Sequence, residues 1–495
     1  MAGQFESELC HVLVEEHFGK TVALVAATVH AESGPLPHIM YRLRGRVKLN
    51  VKKSLAILIQ HSIVDFKIDS SNRLMYSVDR KAILAFSKNG FRCCLIVKTL
   101  YGGLAEAICE ELFSYGRLTA SDTIRKVSAR MEQPLTDASF TKKKFCRLSE
   151  AQFIMRCPPV VSSMKGCPQF ESTFDPFIMP EVSDESKKRK AQQPEGDEGI
   201  YWRINWTRFD RYIRDEMTLE LSTGEGSSFH LSQTVRSLLK ANEVRVSPVA
   251  TINTTPISLF DMMRCAKENE LGIERPDLEK SLRILVDDSH GVVRRSGDSG
   301  GGLYIIDFER ATEQICQYHI ESLIREQLET RAVRIFRLLQ QKGHLEEDQI
   351  EKLTMMSGKE TRELLYAMLE EGYIHTKPIG RTNDFAPART FVLYYVDLPQ
   401  TVRGLVEYTC KHRLLIERQV KMESIIETIN ADETLDEETR KQQMAEVEEM
   451  YMSTADRQLL EKYRRGQTLL NAAETECERA LFAFRLFVEY SQRRC

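Results

Sequence analysis

The chain lacks cysteines at metal-ligand spacing. Its twelve cysteines include no C-x-x-C pair; Cys93 and Cys94 are adjacent and the rest are scattered. Structural zinc modules need paired ligands at short spacing, so they are excluded, and the scatter fits reduced thiols of the cytosol or nucleus. No run of about 18 apolar residues occurs, so no membrane span is expected. The opening MAGQFESELC has no basic segment followed by an apolar core, so no secretory signal is expected. Charge of one sign is not in excess: 69 Lys and Arg face 72 Asp and Glu, a net charge of −3. That excludes a globally basic nucleic-acid coat and leaves local basic patches. The eleven histidines are isolated, and no carboxylates pair in the apolar context of a hydrolase. No cofactor and no small-molecule substrate is expected.

Hydrophobic residues make up 42% of the 495, enough for packed cores, and the length suggests about three to five domains. The clearest stretch is Thr330 to Asp397. Val333, Phe336 and Leu339 have helical spacing and Gly343 ends that helix. Glu346 to Leu353 is a short second helix. Ser357 and Glu360 have capping-box spacing ahead of a third, which carries Leu365, Met368 and Leu369 and ends at Gly372. Tyr373 to Thr376 and Phe391 to Val396 read as strands around a loop with Pro378, Gly380, Asn383 and Pro387. Three helices and a two-stranded ribbon make a winged helix.

The pattern recurs. Leu55, Leu58 and Ile63 share the offsets of Leu365, Met368 and Tyr373, as do Phe145, Leu148 and Phe153. Leu282, Leu285 and Val292 match apart from an insertion at Ser289-His290-Gly291. Irregular separations indicate separate domains rather than a solenoid. The expected fold is mainly α with small β wings: four tandem winged helices followed by a C-terminal coiled-coil region. The expected boundaries are 1–82, 83–157, 199–315 and 316–398, with a linker at 158–198 and a helical hairpin at 399–495. The linker is rich in Pro, Ser and acids. Aromatic Tyr201, Trp202, Trp206, Phe209 and Tyr212 are expected to dock a helix onto the third domain, and polar Leu221 to Thr255 reads as an insertion. In the hairpin, Leu405, Tyr408, His412, Leu415, Gln419, Met422, Ile426 and Ile429 alternate steps of three and four, as do Leu460, Tyr463, Gln467, Leu470, Glu474, Cys477, Leu481, Phe484 and Val488. Polar Gln419, Gln467 and Glu474 weaken that seam, and a third short helix is expected over Glu437 to Met450.

The strongest chemical pattern is basic. Arg42, Arg44, Arg46, Lys48, Lys52 and Lys53 occur with no acid between Glu32 and Asp65. In a winged helix they span the turn and the start of the third helix, where phosphates are approached. Lys142, Lys143 and Lys144 hold the equivalent place in the second copy. In the third and fourth copies Lys280, Arg283, Lys359 and Arg362 are mixed with acids. The alternative is a solvated face or a surface for an acidic protein. Lys187, Lys188, Arg189 and Lys190 form a candidate nuclear-import tract, with a solvated charge run as the alternative. GDSGGG at Gly297 to Gly302 has the letters of a serine-protease nucleophile loop, but no His lies in a matching segment. Its glycines suit a hairpin wing.

Four segments in order, LCHVLVEEHFG (Leu9 to Gly19), DEGIYWRINWTRFDRYIRD (Asp197 to Asp215), RRSGDSGGGLYIIDF (Arg294 to Phe308) and APARTFVLYYV (Ala386 to Val396), resemble the winged-helix subunit of RNA polymerase III. That subunit is the largest member of the enzyme's three-subunit initiation subcomplex and is related to the alpha subunit of TFIIE. The resemblance covers nearly the whole chain and is weakest over Leu221 to Thr255 and 158–198. It implies a nuclear, non-catalytic subunit that helps open promoter DNA for small RNAs such as tRNA and 5S rRNA. The implied partners are the two other heterotrimer subunits, the clamp of the largest subunit, the promoter-bound initiation factor and single- or double-stranded DNA. The resemblance carries no catalytic motif and no DNA-contact residues. The rival reading is a winged-helix scaffold of the proteasome-lid or signalosome type, which would place a helical solenoid before one winged helix.

Overall fold

A computed structural model describes residues 3–43, 50–69, 73–85, 89–130, 138–164, 167–171, 174–178, 197, 199–223, 229–243, 251–269, 271–288, 290–380, 390–431 and 467–494. The chain forms two compact units, Ser7–Tyr212 and Met1–Glu6 with Ile213–Cys495.

The first unit holds α1 (Gln4–Phe18), α2 (Lys20–Ala31), α3 (Leu36–Arg42), α4 (Val51–Gln60), β1 (Val64–Ile68) and β2 (Leu74–Val78), then α5 (Arg80–Ala85) and α6 (Asn89–Tyr101). Next come α7 (Gly103–Tyr115), β3 (Leu118–Thr119), α8 (Ala120–Arg130), α9 (Ala138–Glu150), β4 (Ile154–Arg156), β5 (Val160–Met164), β6 (Cys167–Phe170) and β7 (Tyr201–Ile204). Helix α10 (Trp206–Thr223) crosses into the second unit, which continues with α11 (Phe229–Glu243), β8 (Ile257–Ser258), α12 (Leu259–Glu268), α13 (Arg275–Asp287), β9 (Val293–Gly297) and β10 (Leu303–Ile306). It ends with α14 (Phe308–Lys342), α15 (Glu347–Thr354), α16 (Gly358–Glu370), β11 (His375–Gly380), β12 (Thr390–Tyr395), α17 (Leu398–Ala431) and α18 (Gln467–Arg494). The fold is mainly α with small antiparallel wings.

One topology occurs four times. A short segment after the first helix pairs with the last strand of the ribbon, which also pairs with the strand before it. The pairings are Gly34 with Tyr76 on β2, β3 with β7, β8 with β10, and Leu345 with Tyr394 on β12. The end of the third helix repeats as well. Ile63 N–H donates to the Leu58 carbonyl at 2.9 Å, Phe153 to Leu148 at 3.0 Å and Tyr373 to Met368 at 2.9 Å. Before each strand residue comes a left-handed residue, Ser62 (φ 58°), Gln152 (φ 66°) or Gly372 (φ 76°), and Gly291 (φ 61°) precedes Val292 in the third copy. This is the Schellman ending, in which the reversal satisfies a helix carbonyl and turns the chain into the strand. The twelve apolar positions aligned in the sequence are all buried, from Leu58 at 0% to Leu285 at 5%. Each such side chain contributes about 1.5–3 kcal/mol by leaving water.

Three expectations need correction. First, Tyr201–Ile204 does not begin the third winged helix. It is the middle strand of the second sheet, in the order β3-β7-β4. The described residues between β4 and β7 include the β5–β6 hairpin, where a linker was expected. Asp197 closes this wing: its buried carboxylate accepts from Ser121 N–H at 2.8 Å and Ser121 Oγ at 2.7 Å at the start of α8. Second, the aromatic group packs into this same core. Trp202 and Phe209 join Phe145 and Phe153, with Phe145 and Trp202 edge-to-face at 5.2 Å. Third, Leu221 to Thr255 holds the first helix of the third copy, α11, with Val235 and Leu238 in its core. The stretch looks polar because Thr234 and Ser237 are buried too. Their hydroxyls donate to the His230 and Thr234 carbonyls at 2.7 Å each, which removes the cost of burying them.

In the fourth copy Ser357 caps α16 by accepting from Glu360 N–H at 3.4 Å, while the reciprocal capping box sits one helix earlier, at Glu346 and Gln349. GDSGGG makes the turn between β9 and β10, with Gly300, Gly301 and Gly302 at φ 62°, 87° and 116°. Helices α17 and α18 pack side by side, and Leu405, Leu415, Gln419, Met422, Glu474, Leu481 and Phe484 of the expected seam are buried. Leu486 and Tyr490 of α18 also enter the core of the third winged helix. Glu474 is not a weak point: it pairs with buried Arg413, which also meets Glu417 at 2.7 Å and Glu478 at 3.5 Å. The expected helix at Glu437 to Met450 and the positions Leu460 and Tyr463 lie outside the described residues.

Candidate nucleic-acid interface

Helix α4 starts where the basic run ends. Asn50 caps it by accepting from Lys53 N–H at 3.4 Å, and Val51, Ser54, Leu55 and Leu58 form its buried face. Register then puts Lys52 and Lys53 on the opposite, exposed face. Both stand in the first turn, which contains no acid. A cation there opposes the helix dipole by about 0.3–1 kcal/mol. Arg42 differs from the expectation of a free contact: it is paired with Glu32 at 2.6 Å, and His38 lies 3.6 Å from the same carboxylate. Arg44, Arg46 and Lys48 lie outside the described residues.

The second copy repeats the arrangement with one change. Helix α9 buries Thr141, Phe145 and Leu148 and has no acid in its first turn. Lys143 is exposed and Lys142 half-buried. Lys144 is turned inward, donating to the Tyr101 carbonyl at 2.9 Å, with its ammonium 5.7 Å from the Phe140 ring centroid. Arg147 is exposed one turn beyond Lys143 and was absent from the sequence candidates. The four-residue spacing from Lys143 was the signal that could have found it. In the third and fourth copies the first turn of the third helix carries Asp277 and Glu360. Arg362 is held by Glu347 at 2.6 Å, and Glu360 pairs with Arg331. Lys187 to Lys190 lie outside the described residues.

Residues 8–68 match the family model for the RNA polymerase III subunit RPC82 helix-turn-helix domain. Residues 171–315 match that for RNA polymerase III subunit RPC82, and 320–396 that for the POLR3C C-terminal winged-helix domain. The chain is 31% identical to the DNA-directed RNA polymerase III subunit RPC3 of Danio rerio, over 98% of this chain and 99% of that one. Identity is 30% to the RPC3 subunits of Mus musculus and Homo sapiens, over 99% of both chains in each case. The chain belongs to the RPC3 family of RNA polymerase III subunits. The 8–68 match contains α4 with Lys52 and Lys53, and the 171–315 match contains β7 together with the whole third winged helix.

Burial pushes the Cys93 and Cys109 thiols well above their usual range and Cys94 up to about 12, so they behave as small apolar side chains. Among the described residues no group of three or more His, Cys, Asp or Glu could hold a metal ion. No described helix is long and apolar enough to cross a membrane. His61 is lowered to about 4 by burial and then by Arg117 and His17, so it is neutral at pH 7.

Proposed function

We propose that the chain acts in the nucleus as a non-catalytic subunit of RNA polymerase III, in promoter opening and initiation at genes for small RNAs such as tRNA and 5S rRNA. The observation that carries this reading is end-to-end similarity to RNA polymerase III subunits, 31% identity over 98% of the chain. Its partners in this reading are two heterotrimer subunits, the clamp of the largest subunit, a promoter-bound initiation factor and DNA. The DNA contact falls to the first two winged helices, because among the described residues only α4 and α9 combine a first turn without acid with exposed lysines, Lys52 and Lys53 in the first turn of α4 and Lys143 in the second turn of α9. Lys52, Lys53 and Lys143 are the central contacts, with Arg147 added. Such contacts meet phosphates and carry little base readout.

The test is an affinity purification of the tagged full chain from cells, followed by permanganate probing of tRNA promoters after its depletion. Polymerase III subunits in the eluate and loss of the thymine reactivity that marks open DNA are expected. An eluate of proteasome-lid or signalosome subunits would establish the scaffold reading instead. Polymerase recovery with unchanged thymine reactivity would keep the subunit and remove the role in opening.

A further inference from the structure

Helix α14 is bent at Glu329, whose φ of 68° and ψ of 177° interrupt it. Beside the bend is an open cavity of about 470 Å³ in the fourth winged helix. Arg325, Arg334 and Arg337 line it together with Val333, Leu338 and Leu353, and no carboxylate does. Arg337 is fixed from behind: it donates to buried Glu321 through Nε at 3.0 Å and Nη2 at 2.6 Å. Gln317 donates to the same carboxylate at 3.1 Å. The guanidinium is therefore held in place while still more than half exposed, which lowers the entropy lost on binding. Arg334 donates weakly to the Thr354 carbonyl at 3.4 Å. Arg325 makes neither a hydrogen bond nor an ion pair among the described residues. Glu321 is bound by Arg337 and also attracts Arg325 through space, so among the described residues Arg325 and Arg334 are the lining cations with no carboxylate bound directly to them. On the apolar side Leu353 is 53% accessible, whereas Val333 is buried.

We infer that this cavity is a docking site for an acidic segment of a protein partner, in which carboxylates flank an apolar side chain. Guanidinium groups bind carboxylates in paired, planar geometry, and Arg325 and Arg334 beside exposed Leu353 match that chemistry, with Arg337 held alongside. A nucleic-acid backbone would satisfy the arginines and leave Leu353 against a polar sugar-phosphate chain. The site is distinct from the lysines of α4 and α9, and the inference does not depend on their role.

The test uses the full chain and a fluorescently labelled peptide of repeated Glu-Asp-Leu, read by anisotropy. Arg325→Glu with Arg334→Glu is expected to weaken binding about tenfold or more, since two charge-assisted hydrogen bonds are removed. Leu353→Ser weakens it severalfold, and a Glu-Asp-Ser peptide binds the unaltered chain equally poorly. Lys52→Glu with Lys53→Glu leaves binding unchanged. The substituted side chains are exposed, and Arg325→Gln with Arg334→Gln repeats the measurement if the reversed variant does not fold. Three results would overturn the inference: affinity unchanged by both arginine variants, equal binding of the Glu-Asp-Ser peptide, or an oligo-dT that binds the cavity and is lost with the same arginines.

Discussion

Helix α4 of the first winged helix begins Val51-Lys52-Lys53 with no acid in its first turn, whereas α16 of the fourth begins Gly358-Lys359-Glu360. The two domains share strand pairing, cap geometry and buried positions, yet they treat charge in opposite ways. In the first, cations stand exposed at the helix end where the dipole disfavours them. In the fourth and the adjoining helical pair, cations are matched to carboxylates: Arg331 with Glu360, Arg362 with Glu347, Arg337 with Glu321, and Arg413 with Glu417 and Glu474. Charge that stabilises its own fold is neutralised locally. Charge left open at some cost in stability is available to a partner, and on the proposed reading the open lysines of α4 would meet phosphates while Arg325 and Arg334 of the fourth copy would meet carboxylates.

The largest expected effect lies on the paired side. Arg413 and its partners Glu417 and Glu474 are no more than about 3% exposed. Arg413→Met strands buried carboxylates and should cost about 3–5 kcal/mol, measured by denaturant unfolding of the full chain. Replacing Arg413, Glu417 and Glu474 together by apolar residues should recover much of that loss. A near-neutral single variant would show that this charge cluster does not hold the helical pair together.

Next comes the open side. Lys52→Glu with Lys53→Glu should weaken DNA binding about tenfold and flatten the salt dependence by about 0.9 in log–log slope for each phosphate no longer neutralised. The same change should raise the melting temperature slightly, because acids suit a helix start. Lys359→Glu with Arg362→Glu should leave DNA affinity within about twofold, as Arg362 already meets Glu347 and the first turn of α16 carries Glu360. Equal losses from both pairs would erase the contrast between the copies.

Smaller effects separate the two sides by pH. Burial alone would raise the Glu321 carboxyl, but hydrogen bonds from Arg337 and Gln317 outweigh it and hold the group below its usual range. Its contribution is present above the unfolded carboxylate pKa and is lost as pH falls through the folded value. Glu321→Gln should cost about 1 kcal/mol near neutral pH and little in acid. In the first unit His61 is lowered to about 4. The unfolded chain then binds more protons between about 6.5 and 4, so stability falls as pH drops through that window. Asp210, raised to about 6 by burial against the attraction of Lys81, works in the opposite sense. The His61→Gln variant isolates the histidine: its stability should vary less with pH below about 6.5 than that of the unaltered chain.

Much of the repeat was legible in the linear chain. Leu55, Leu58 and Ile63 and their counterparts report two local periods, a helix face and the strand leaving it, and local periods survive in a linear string. The left-handed residue between them was half legible: Gly291 and Gly372 announce it, whereas Ser62 and Gln152 conceal it. The basic candidates were found from charge alone, but their states were not. Arg42 is paired, Lys144 points inward, and Arg147 is set apart from the lysine run in the string by Phe145 and Cys146, although helical spacing places it one turn beyond Lys143.

Hydrophobic spacing along the chain was enough to give the mainly α, winged-helix character of the fold, and long stretches of matching residues were enough to give family membership. Tertiary structure alone decided that Tyr201–Ile204 completes the second sheet across the intervening wing, and that polar α11 is a core helix. It also decided which charges are neutralised. Strand pairing and ion pairing join residues far apart in the chain, and a side chain's surroundings, not its neighbours in sequence, set whether its charge is left open.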